Sequence, residues 1–77
     1  MSFNDKHALE TLPVRIATLE ADVRRLQQRL EDPWLYAQDR GAFDQTSRAL
    51  ATALSELAAS EDKWLELETL RQEIERG

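Results

Sequence analysis

The segment LETLPVRIATLEADVRRLQQRL, residues 9–30, decides how this chain folds. Its large apolar residues, Leu9, Leu12, Ile16, Leu19, Val23, Leu26 and Leu30, are separated by alternating steps of three and four. That spacing is an unbroken heptad pattern, with Leu9, Ile16, Val23 and Leu30 at the a positions and Leu12, Leu19 and Leu26 at the d positions. A helix of this kind shows a narrow apolar stripe and surrounds it with charged and amide side chains. The stripe needs a covering helix, from the same chain or from another copy.

Working outward from the seam, Ser2, Asn4 and Asp5 are competent N-caps, and residues 4–12 read as a helical lead-in with Leu9 and Leu12 already in phase. Pro13 cannot donate to the carbonyl four residues back, so the helix is either bent there or begins there. The in-phase Leu9 favours a lead-in bent at Pro13. Residues 13–31 form the first long helix, of which Val14 to Glu31 should be straight for about 27 Å. Asp32-Pro33 ends it, because a residue before proline is pushed out of the helical region. The connection, residues 32–39, contains the bulky run Trp34, Leu35 and Tyr36.

Asp39 is the expected N-cap of a last helix over residues 40–76, with Gly41 in its first turn. Its apolar positions are Phe43, Leu50, Leu54, Leu57, Trp64, Leu67, Leu70 and Ile74, with Ala49, Ala53 and Ala58 between them. The heptad is weaker in this helix. Ser47 stands where a large residue is due, and Ser60-Glu61 interrupt the seam, which reads as a slip of phase near Ser60. A short connection favours antiparallel neighbours. Folding back around Tyr36 pairs Leu26 with Leu50, Val23 with Leu54, Leu19 with Leu57, Leu12 with Trp64 and Leu9 with Leu67, with Ile16 opposite Ser60-Glu61. The expected architecture is therefore all-α. It is an antiparallel two-helix coiled-coil hairpin with a short, proline-kinked N-terminal lead-in, one domain over residues 1–77, and a monomer.

Composition bounds what such a domain does. The 77 residues contain no cysteine, so disulfide and thiolate–metal staples are excluded and packing must hold the fold. No stretch approaches the ~18 apolar residues of a membrane span, and no signal-peptide core is present, so a cytoplasmic location and no membrane partner are expected. His7 stands alone, no glycine-rich phosphate loop or nucleophile–base pair occurs, and the carboxylates lie on helix exteriors. The expectation is a non-enzymatic chain with no metal or cofactor of its own.

Charge is uneven along the chain. Its net charge is −5, yet residues 15–48 hold six arginines against six acids, while residues 49–77 hold three bases against seven acids. Arg24, Arg25, Arg29 and Arg48 are the candidate phosphate-contacting residues, brought to one end by the antiparallel register. The competing reading is a solvated face paired with Asp22, Asp32 and Asp44. Trp34, Tyr36 and Phe43 could stack on bases, but plugging the open end of the apolar seam is the favoured role. Trp64 is read as structural, filling space beside Pro13.

The motifs LETLPVRI (residues 9–16), Leu19-Glu20, Asp32-Pro33-Trp34-Leu35-Tyr36 and Lys63-Trp64-Leu65-Glu66-Leu67-Glu68 resemble the C-terminal coiled-coil domain of ABC-F ATPases of the Uup type. The lead-in Ser2-Phe3-Asn4-Asp5-Lys6-His7 is similar to the family's stretch before that domain. Lys63 stands where the family usually has arginine, and Ala42-Phe43 replace the common Asp-Pro start of the last helix. The resemblance implies one domain of a parent ATPase with two ATP-binding cassettes. It also implies a nucleic-acid partner, DNA in the Uup branch or ribosomal RNA in the class at large. A structural role, docking on the parent's cassettes or on a second copy, is the alternative.

Overall fold

In a computed structural model, described for residues 2–76, the chain forms three helices: α1, Phe3–Leu30; α2, Pro33–Gln38; and α3, Arg40–Arg76. No strand occurs among the described residues. Of the three candidate caps it is Ser2 that starts α1, its Oγ accepting the Asp5 N–H at 3.2 Å and so satisfying one of the orphan donors of the first turn. Pro13 lies inside α1, so the separate lead-in (4–12) and helix (13–31) of the sequence reading are one element. Pro13 itself is exposed, and its ring leaves the Leu9 carbonyl without the intrahelical donor it would otherwise have. None of the described helices is long and apolar enough to cross a membrane.

The chain doubles back on itself. Val23, Leu26 and Ala53 form a buried cluster against which Leu50 and Leu57 pack. Farther along, the Arg15 guanidinium meets the Glu56 carboxylate at 3.4 Å. At the end away from the connection, Lys6, Leu9 and Glu10 border the same shallow groove as Arg71, Ile74 and Glu75. Thirty-seven residues of α3 correspond to about 55 Å of helix. The longest dimension of the molecule is 59 Å and the other two are 15 and 14 Å, so α3 runs nearly its full length. Leu9 and Leu12 are half-buried, which agrees with their expected task of covering the far end of the longer helix.

The seam of α3 differs from the one read off the sequence. The residues of α3 that are buried or half-buried include Phe43, Thr46, Leu50, Ala53, Leu57, Ser60, Trp64, Leu67 and Arg71, an unbroken alternation of three and four. No slip of phase occurs at Ser60, which is buried at 7 % exposure. Thr46 rather than Ser47 faces inward, and Ala53 rather than Leu54 meets the Val23 cluster, Leu54 being 44 % exposed. Leu70 and Ile74 are also exposed. The physical reason is volume. The small Ala53 packs with the larger Val23 and Leu26 of α1, and Leu50 and Leu57 lie against them, so this part of the core fills without overpacking. The Thr46 hydroxyl donates to the Ala42 carbonyl at 2.7 Å, which makes its burial tolerable. No buried side-chain polar atom among the described residues lacks a partner.

Arg71 continues the inward spacing of α3 beyond Leu67. Its guanidinium is held by Glu68, one turn before it, and by Glu75 at 3.1 Å. The hydrogen bond from Arg71 draws the Glu68 carboxyl below the ordinary carboxylate range, against a smaller opposing effect of burial. A lowered carboxyl pKa stabilises the fold above the unfolded value and the contribution fades as pH falls through the folded one. Acidification below about pH 4.5 should therefore weaken the Glu68–Arg71 contact. Thermal melts of the chain and of Glu68→Gln should converge as the pH is lowered through that range.

The phase of α3 has a direct test. Leu57→Ala should destabilise by about 2 kcal/mol, lowering Tm by roughly 8–16 °C for a domain of this size. Leu54→Ala should change stability by less than about 0.5 kcal/mol. Circular-dichroism melts of the two variants distinguish the observed seam from one running through Leu54.

Candidate nucleic-acid interface

The end of the molecule where α1 gives way to α2 and α3 begins is held by local hydrogen bonds. Asp32 caps α2, its Oδ1 accepting the Trp34 N–H at 2.9 Å, and Pro33 occupies the first turn where no donor is needed. Asp39 performs the expected cap of α3, with Oδ1 accepting the Ala42 N–H at 2.9 Å while its carbonyl accepts the Phe43 N–H at 3.0 Å. The connection read as a turn over residues 32–39 is thus mostly a six-residue helix between two aspartate caps.

The aromatics at this end divide into two roles. Tyr36 meets Phe43 edge to face, with ring centroids 5.0 Å apart, and the Arg40 guanidinium lies 4.5 Å from the centre of the Tyr36 ring. Phe43 is half-buried, so this trio fastens α2 to the first turns of α3. Trp34 is 66 % exposed. The expected plug made of all three rings is therefore corrected: Phe43 and Leu35 supply the buried contacts, Tyr36 is a half-exposed clasp, and Trp34 faces solvent. The reason is geometric, since one short helix cannot turn Trp34 and Leu35 toward the same neighbour.

All four sequence-predicted contact residues are exposed. Arg25 and Arg29, one turn apart, share one flank of α1, and Arg24 lies on the adjoining outer surface. Arg48 sits midway between the inward residues Thr46 and Leu50, on the face of α3 turned away from α1. The register brings Arg48 to the height of Arg29 but on another side of the rod. Arg25 pairs with Asp22 at 3.6 Å, an exposed contact of small energetic weight. Among the described residues, Arg24, Arg29 and Arg48 enter no ion pair, whereas Arg15, Arg40, Lys63 and Arg71 do. Arg40 was missed by the sequence reading. Its signal was the spacing of four from Tyr36, obscured by the Asp39 break between them. His7 lies against Phe3, with ring centroids 6.2 Å apart, remote from the arginines.

Over residues 1–69 the sequence of this helical chain matches the ABC transporter C-terminal domain family model. The chain belongs to that family, and its place is that of the C-terminal domain of an ABC-F-type ATP-binding protein. Among curated proteins, it is similar to the ATP-binding protein Uup of Haemophilus influenzae (strain ATCC 51907 / DSM 11121 / KW20 / Rd), with 31 % identity over 75 residues. That match takes in 97 % of this chain but only 12 % of the relative's length. No solved structure matches the chain.

The Asp39 cap is what joins the clasp to the long helix. Asp39→Ala should cost about 1 kcal/mol, or roughly 4–8 °C in Tm, while Asp44→Ala, which removes an exposed contact 3.9 Å from Arg40, should leave Tm within error. Melts of the two variants followed by circular dichroism provide the comparison.

Proposed function

We propose that this chain is the non-catalytic, nucleic-acid-binding C-terminal module of an ABC-F-type ATP-binding protein, and that it contacts phosphates through Arg24, Arg25, Arg29 and Arg48. The observation that carries the reading is the gathering of exposed arginines at one end, three of them free of ion pairs among the described residues. The rest of the rod is acidic, with Glu56, Glu61, Asp62, Glu66, Glu68, Glu73 and Glu75 on α3. These repel a phosphate backbone within the Debye length of ~8–10 Å, leaving the arginine end as the approach. The module is one domain over residues 1–77, an antiparallel coiled-coil hairpin bent at Pro13. The matched three-four spacing on both helices supports that description. It acts as a cytoplasmic monomer with no cofactor of its own. ATP binding and hydrolysis belong to the cassettes of the parent.

A second reading has its own observation. Leu70 and Ile74 are 38 % and 50 % exposed at the opposite end, beside the groove bordered by Leu9 and Arg71, and such a surface suits protein docking onto the parent's cassettes.

Titration of the chain against duplex DNA, single-stranded DNA and RNA separates the two readings. Binding should be weak and fall steeply with salt, each phosphate contact contributing ~0.7–0.9 to the logarithmic salt slope. Arg25→Gln combined with Arg29→Gln keeps helix propensity similar and should reduce that slope by about 1.4–1.8. Binding by the double variant equal to that of the parent chain, or chemical-shift changes centred on residues 61–75, would transfer support to protein docking.

A further inference from the structure

We infer that Trp34 is a stacking platform for an unpaired nucleobase, so that the arginine end takes single-stranded nucleic acid in preference to uniform duplex. This rests on the proposed nucleic-acid reading and narrows it to a substrate class. Trp34 is pinned at the backbone and open at the side chain. Pro33 fixes the turn before it, Asp32 accepts its N–H at 2.9 Å, and Leu35 beside it is half-buried. The side chain nevertheless stays 66 % exposed, and no aromatic or cation–π partner is present for it among the described residues. A large aromatic ring held outward on a capped turn loses little conformational freedom when a flat partner covers it.

The surroundings select the partner. Between residues 15 and 53, Trp34 and Tyr36 are the strongly exposed large hydrophobic residues, and no aliphatic residue there extends them into a patch. A protein-docking surface is built instead from contiguous apolar area. What surrounds Trp34 in the chain is charge: residues 24–48 hold five arginines against four acids, in a chain of net charge −5. Two of those acids, Asp32 and Asp39, are occupied in accepting backbone N–H groups at helix starts. Tyr36 already carries a guanidinium 4.5 Å from its ring centre, so one aromatic face at this end is satisfied and the Trp34 face is not. Arginines that follow a backbone and an aromatic face that takes a base are the two parts of single-strand recognition. Bases in duplex are already stacked and offer no face to Trp34.

The test uses the 77-residue chain with fluorescein-labelled oligonucleotides at low salt: (dT)20, (rU)20, an abasic 20-mer of equal charge, and a GC-rich 20-bp duplex. Trp34→Ala should lose roughly 5- to 100-fold in affinity for (dT)20 and (rU)20, the range expected for one stacked base. It should match the wild-type chain on the abasic strand and on duplex. Trp34→Phe should retain part of the gain. The wild-type chain should also show quenching of tryptophan emission by (dT)20 that Trp34→Phe abolishes, because the half-buried Trp64 remains in both. Unchanged circular-dichroism melts of Trp34→Ala, expected for so exposed a residue, separate stacking from folding. Equal binding of (dT)20 by wild type and Trp34→Ala overturns the inference. So does an equal loss on duplex and abasic strand, which would make Trp34 a support for the arginines. In both of those cases the nucleic-acid reading stands. Absence of binding to all four probes by the wild-type chain overturns that reading and this inference together.

Discussion

The fold depends on large residues of α1 meeting small ones of α3. Val23 and Leu26 supply bulk from α1, Ala53 gives the space that this bulk needs, and Leu50 and Leu57 pack against the cluster. Without cysteine there is no disulfide to help, and a domain this small leans on such packing. The buried apolar set is Leu19, Val23 and Leu26 on α1 with Ala53 and Leu67 on α3. The remaining contacts act at the ends. Arg15–Glu56 is an exposed cross-helix pair of modest weight, and the Arg71 cluster closes the last turn where a further large residue would otherwise be required.

That packing also shapes the arginine end. The rod is about as thick as two helices, 15 by 14 Å, so side chains at one height point to all sides of it. Arg25 and Arg29 occupy one flank, and Arg48 occupies the back of α3. A ligand that meets all four must wrap the end or receive it, since a flat surface would reach only part of the set. The Tyr36–Arg40–Phe43 clasp ties α2 to the start of α3 at that end.

Family membership fits this division of labour. The match covers residues 1–69, nearly all of the seam and the whole capped connection. The curated relative is named an ATP-binding protein, and this chain corresponds to 12 % of it. The four arginines and Trp34 fall inside the matched segment, so the candidate interface is part of the shared domain rather than an appendage to it.

Much was legible in the residues alone because it is governed by near neighbours. The seam from Leu9 to Leu30, the break at Asp32-Pro33 and the cap at Asp39 depend on helix period, proline geometry and a side chain reaching two or three residues forward. That the chain doubles back, with Leu50 and Leu57 packed against the cluster of Val23, Leu26 and Ala53, followed from the short connection. The inward face of α3 was decided elsewhere. Thr46, Ala53 and Ser60 are compatible with either core or surface, and Leu54 attracts a seam toward itself until the bulk of Val23 on the facing helix selects Ala53. Pro13 was likewise ambiguous, because only the rest of α1 determines whether one missing hydrogen bond ends a helix. Trp34 and Phe43 looked equivalent as aromatics near a turn. Their fates diverged because α2 has one face to lay on α3, and Leu35 and the clasp to Phe43 occupy it.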